Sequence, residues 1–177
     1  MFIPTLPSPK VLKRSKSYRR VLGIDPGLAC TGWGVLEDRN GSILYIDHGV
    51  IETKAGCPRA QRLCFIQQAV RSIIEKYKPA EAAIEILYFG KNVSSAIPVA
   101  EARGVISAGL AEQGIIIREL TPNAIKLGVT GHARADKAQV QEMVRIILAL
   151  EKTPKPDHAA DALGAAICAI NSRINIS

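Results

Sequence analysis

The chain reads as an α/β protein with a mixed five-stranded sheet flanked by helices. Two observations predict this. Residues 21–53 hold three apolar, β-forming segments separated by turn signals, with no helical spacing among them. From residue 63 onward, apolar residues recur at intervals of three and four in stretches that alternate with short apolar runs. Strands in succession followed by alternating strands and helices build a mixed sheet with helices packed on it.

The elements follow in order. Val21 to Asp25 is a short apolar run ending in an acid, and Pro26 with Gly27 marks a turn. Thr31 to Leu36 carries β-formers around Gly32 and Gly34, a pattern that invites close backbone approach. Asn40 and Gly41 suit a type I′ hairpin turn, after which the β pattern resumes from Ile43 to Thr53. Leu63, Ile66, Val70, Ile73 and Tyr77 form one face of a helix that stops before Pro79. Ala82 to Ile86 is a buried-type strand interrupted by Glu85. A helix over about 95–113 and a strand over 115–120 come next. Thr121 as N-cap with Pro122 behind it starts another helix. Two more span about 136–150 and 157–171, separated by Pro154 and Pro156. This order is that of the ribonuclease-H-like architecture, although other α/β folds share it.

Net charge is +7, from 23 Lys and Arg against 16 Asp and Glu, which points to a polyanionic partner. The distribution narrows that inference. Lys10, Lys13, Arg14, Lys16, Arg19 and Arg20 all fall in residues 1–20, with three prolines and no acid. Removing these six leaves +1 for residues 21–177. Residues 1–20 are expected to be a disordered basic tail, 21–172 the folded domain, and 173–177 a short C-terminal tail. No apolar run approaches the ~18 residues of a membrane span. Cys30, Cys57, Cys64 and Cys168 show no zinc or disulfide spacing, and scattered thiols suit a reducing cytoplasm.

Chemistry is expected where acids interrupt apolar sequence, because burying an unpaired carboxylate costs several kcal/mol. Asp25 ends the first strand and Glu85 interrupts the fourth. His158 and Asp161 lie three apart on the last helix, so they share a face. Leu163, Ile167 and Ile170 mark the opposite, core side. Such a group suits Mg²⁺ or Mn²⁺ better than zinc. Each residue alone also fits a plainer role: a turn acid, a solvent-facing strand end, or charges at a helix start. Asp157 is the better plain N-cap candidate.

Taken together, GIDPGLACTGWGV at 23–35, AIE at 83–85, FGKN at 89–92, EARGVI at 101–106 and DHAADALGAA at 157–166 strongly resemble the RuvC family of Holliday junction resolvases. The similarity spans about residues 20–170. The resemblance implies a ribonuclease-H-like nuclease that nicks four-way DNA junctions in symmetric pairs during recombination and repair. It implies Asp25, Glu85, His158 and Asp161 as catalytic metal ligands, with two ions per site, Mg²⁺ or substituting Mn²⁺. Many members have Asp where this chain has His158; Asp157, one residue earlier, is the alternative ligand, being one turn from Asp161. The resemblance further implies base stacking by Tyr88 beside Phe89 and DNA contact by Lys126 and Lys137. Lys91, Arg103 and Arg134 are added as basic candidates. The family also implies a homodimer working beside the RuvA–RuvB branch-migration complex. In the 95–113 helix, Ala96, Ala100, Gly104 and Ala108 form a small-residue stripe suited to a close contact, with a partner or with the chain's own sheet. The rival readings are an actin-like phosphate loop, which needs a second such domain, another ribonuclease-H-like nuclease, and a junction binder without catalysis.

Overall fold

The computed structural model describes residues 18–86 and 93–172. Ten elements run in the order β1 (Arg19–Asp25), β2 (Cys30–Arg39), β3 (Ser42–Glu52), α1 (Arg59–Tyr77), β4 (Glu81–Glu85), α2 (Val93–Glu112), β5 (Ile116–Leu120), α3 (Pro122–Thr130), α4 (Lys137–Ile147) and α5 (Asp157–Asn171). The sheet has the order β3-β2-β1-β4-β5. Its first three strands form an antiparallel meander, whereas β4 and β5 add parallel to β1. The expected mixed five-stranded sheet is therefore present. Asn40 and Gly41 both take positive φ, 54° and 96°, at the hairpin tip, where primed turns match the twist of the strands.

Strand alternation places a core on each face. Leu22, Ile24, Val35, Ala82 and Ile84 pack with α1 and α2. Val21, Leu36 and Ala83 pack on the other face against α3, α4 and α5. α5 lies between the sheet and those two helices, so all eleven residues of 159–170 other than Asp161 are buried, around its whole circumference. Ala159, Ala162 and Ala166 supply the small side chains this demands, and the sheet reciprocates with glycine. A Cβ on Gly23 would sit 1.8 Å from the Ala162 carbonyl oxygen, and one on Gly32 would sit 1.9 Å from that of His158. The helix backbone thus rests directly on β1 and β2.

Local signals explain most boundaries. Thr121 Oγ1 accepts the Ala124 amide at 3.1 Å, with Pro122 in the first helical position as expected. Lys78, at φ 50°, ends α1 one residue before Pro79. At α4, Asp136 and Gln139 form a reciprocal capping box, and the helix stops at Ile147 because Ala149 turns to φ 51°.

Two expectations need correction. β1 begins at Arg19, so the boundary drawn at residue 20 cuts through a strand. Arg19 pairs with Asp38 at 3.2 Å and Glu81 at 3.3 Å, and Arg20 pairs with Glu37 at 2.9 Å. Glu37 is 1% exposed and Glu81 6%, and buried acids of this kind require nearby cations. Two of the six basic residues assigned to the tail are therefore structural. The expected disorder of 1–17 and the 173–177 tail lie outside the described residues. Asp157 does not cap α5 either: Pro156 holds the N-cap position and Asp157 is the first helical residue. Among the described residues, no helix is long and apolar enough to cross a membrane.

Gly23→Ala is expected to lower stability by about 3 kcal/mol, because the added methyl meets backbone that cannot yield. Urea unfolding measures this, and a midpoint like that of the parent protein would refute the direct helix–sheet contact.

Candidate functional site

Alternation that builds the cores also aims the acids. Val21, Gly23 and Asp25 share one face of β1, and Ala83 and Glu85 share the same face of β4. The parallel register pairs Ile24 with Ile84, so Asp25 and Glu85 end adjacent strands side by side. α5 crosses that face and begins above those ends, where its first turn delivers His158 and Asp161.

His158 Nδ1 lies 2.7 Å from Asp25 Oδ2. One ligand atom each from Asp25, His158 and Asp161 lies within 4.8 Å of the others. Glu85 stands outside that tight group but shares a cleft with Asp161. This cleft, about 190 Å³, is lined by Glu85, Asp161, Lys126 and Lys137 over an apolar floor of Pro122, Ile125 and Val140. Asp157 is likewise outside the three-residue group.

The electrostatics show a group short of positive charge. Burial raises the Asp25 carboxyl, Asp161 adds to the rise, and the His158 hydrogen bond works against it. Burial, then the charges of Asp25 and Asp161, pushes Glu85 up to about 7, with Lys137 and Lys126 opposing. Three carboxylates and an imidazole, crowded and partly desolvated, form a donor set suited to a divalent cation with oxygen preference. The residues fit such a metal because the missing charge is the quantity it would supply.

Lys137 opens α4 and reaches back to the site. Its Nζ lies 3.3 Å from Asp161 Oδ2 and 3.3 Å from Asp157 Oδ2. Lys155 Nζ holds the other Asp157 oxygen at 3.0 Å. Lys155 and then Lys137 hold the Asp157 carboxyl down to about 2. Sequence reasoning named Lys137 but missed its two-carboxylate seat and missed Lys155. The Lys155–Asp157 pair, two residues apart, was a local signal; the Lys137 contact is tertiary and left none.

The remaining candidates divide. Lys126 lines the cleft. Arg134 is exposed on the connection between α3 and α4. Arg103, on α2, is engaged by Glu119 of β5. Tyr88, Phe89 and Lys91 lie outside the described residues.

The family model described as crossover junction endodeoxyribonuclease RuvC matches residues 21–169. The relative so named from Treponema denticola is 49% identical over 165 residues, covering 91% of this chain and 93% of its own. That from Chloroflexus aurantiacus is 50% identical over 149 residues, covering 84% and 91%. Among solved structures, Thermus thermophilus RuvC in complex with Holliday junction substrate superposes with a TM-score of 0.81 at 30% identity, covering 85% of this chain and 92% of that one.

The crowding of carboxylates has a pH signature without any metal. Glu85 keeps in the fold a proton that the unfolded chain releases, so its contribution to stability is lost as pH rises from 4.5 to about 7. In EDTA, Glu85→Gln should melt a few degrees above the parent protein at pH 8, given about 2–4 °C per kcal/mol for a chain of this size. The gap should close toward pH 4. Equal melting temperatures across that range, measured by calorimetry, would refute the cost of holding the Glu85 charge buried beside Asp25 and Asp161.

Proposed function

The chain belongs to the RuvC family of crossover junction endodeoxyribonucleases, and from that premise we infer that its site cuts four-way DNA junctions by hydrolysing one phosphodiester in each of two opposed strands. The observation that carries this reading is the cleft itself. Its lining brings Asp161 together with Glu85, Lys126 and Lys137, and Asp161 lies in turn within 4.8 Å of Asp25 and His158, so carboxylates, an imidazole and two lysines converge on one mouth.

Asp25, Glu85, His158 and Asp161 hold the metal in this reading, as Mg²⁺ or substituting Mn²⁺, with two ions per site. Bound there, the ions supply an activated water and charge stabilisation for the departing 3′ oxygen. The protein's own groups do the rest. Asp25 is the most enclosed of the ligand group, with a side chain 18% exposed, and it ends the strand beside that of Glu85. His158, hydrogen-bonded to it, is fixed in orientation; the neutral tautomer donating Nδ1–H to Asp25 leaves a lone pair on Nε2 to ligate or to carry a proton. Lys126 and Lys137 meet phosphate oxygens, which give affinity and register without reading sequence. Arg134 extends that basic edge, whereas Arg103 reaches DNA only by giving up Glu119. The stacking assigned to Tyr88 and Phe89 and the contact assigned to Lys91 rest on the family resemblance.

Two symmetric nicks call for two sites related by a two-fold axis, which a homodimer supplies. α2 offers a surface for it. Ala102, Ile106 and Leu110 turn inward, while Gly104 and Ala108 are exposed and Ile97 is 47% exposed. The small-residue stripe is thus split: Ala96 packs inward, Ala100 is half-buried, and Gly104 and Ala108 face out. The RuvA–RuvB branch-migration complex is the partner implied by family membership. The unpaired thiols Cys30, Cys57, Cys64 and Cys168 suit a cytoplasmic setting.

The test offers the protein a mobile four-way junction, a linear duplex and an RNA–DNA hybrid, each with Mg²⁺ or EDTA. Paired, Mg²⁺-dependent nicks confined to the junction are expected, with His158→Ala slowing them by about 100-fold or more. Lys126→Ala should reduce the salt slope of junction binding by about one. Cleavage of the hybrid alone, or tight junction binding without nicks, would overturn the reading.

A further inference from the structure

We propose that Asp157 is a positioning residue whose carboxylate holds the Lys137 ammonium at the mouth of the cleft, where it meets a phosphate oxygen beside the scissile bond. This inference rests on the site being a DNA phosphodiesterase, as argued above.

Lys137 needs such a restraint. Its side chain is 56% exposed and ends a flexible four-carbon stem, so the ammonium has no fixed place without a partner. It has two partners at equal distance, Asp157 and Asp161. Asp161 belongs to the metal-ligating group, and a cation bound there neutralises its charge and weakens its hold on the lysine. Asp157 is then the anion that remains. It lies outside the ligand group, and it makes no capping bond to α5, so its oxygens are available. Both are in use: Lys155 takes Oδ1 and Lys137 takes Oδ2. Lys155 thereby fixes the carboxylate that fixes Lys137.

Removing an acid beside bound DNA by itself tightens binding, because the phosphates then face less negative charge. A positioning role predicts the opposite effect on cleavage, so the two can be separated. The experiment compares the parent protein, Asp157→Asn, Asp157→Glu, Lys137→Ala and the Asp157→Asn/Lys137→Ala double variant. Junction affinity is measured in EDTA, single-turnover cleavage with Mg²⁺ at saturating protein, and Mn²⁺ binding to the DNA-free protein. Asp157→Asn is expected to bind the junction as tightly as the parent or more so, yet to cleave about tenfold more slowly. Asp157→Glu should recover most of that rate. In the Lys137→Ala background, Asp157→Asn should cost less than about twofold further, since the group it positions is gone. Mn²⁺ affinity and melting temperature should stay within error of the parent.

An undiminished loss in the Lys137→Ala background would overturn the proposal. Weaker Mn²⁺ binding by Asp157→Asn would do so too, by making Asp157 a ligand. A parent protein that fails to nick junctions would overturn the functional reading and this inference together. Failure of the coupling alone leaves the nuclease reading standing.

Discussion

The direct seating of α5 on β1 and β2 governs the rest of this molecule. Helices normally stand off a sheet by the thickness of their side chains. Here Gly23 and Gly32 on the strands meet an alanine-rich helix, and no Cβ fits between. The closeness has a functional purpose. Asp25 is one pleat beyond Gly23 on the same face, and His158 is the residue whose carbonyl lies over Gly32. Strand and helix can share a 2.7 Å side-chain bond across that layer only because their backbones already touch. The geometry of the ligand group is therefore a property of the core, set by buried, apolar packing rather than by the loops around it.

Against that rigid frame stands an electrostatic arrangement that is deliberately incomplete. The buried acids of the sheet are answered by arginine: Glu37 by Arg20 and Arg39, and Glu81 by Arg19 and Arg118. These planar, permanently charged partners settle the neighbourhood of each acid. At the start of α5 the answer is a lysine, Lys137, held on a flexible stem and shared between Asp157 and Asp161. A compact ammonium on a flexible stem is more easily displaced by a divalent cation than a pair of guanidinium groups converging on one buried carboxylate. The choice of base distinguishes the acids that hold the protein together from those left open for chemistry.

Much of this was legible in the chain. Acids set in apolar strand sequence marked Asp25 and Glu85, and the three-residue spacing placed His158 beside Asp161. Those are local signals, whereas the shared face of Asp25 and Glu85 follows only from the parallel pairing of β1 with β4. Partnerships between distant elements were not legible. Arg19 and Arg20 read as tail because charge and nearby prolines are local signals, and Glu37 and Glu81 become their partners only once the sheet is paired. Arg103 read as a candidate DNA contact, with no sign that β5 brings Glu119 to it. Asp157 read as a cap because its position before an apolar helix is what caps occupy; Pro156 occupies that position instead, and the carboxylate serves Lys137.

The central place of α5 also bears on when the protein becomes dangerous to DNA. Asp25 and His158 meet across 133 residues of chain, and closing so long a loop is entropically unfavourable until the intervening strands and helices have packed. Asp25 and Glu85 come from the sheet, and His158 and Asp161 reach them only from the first turn of α5. Docking of that helix completes the core and the site in a single event. A chain in which α5 has not docked therefore holds Asp25 without His158 and Asp161, so this carboxylate–imidazole group exists only in the folded protein.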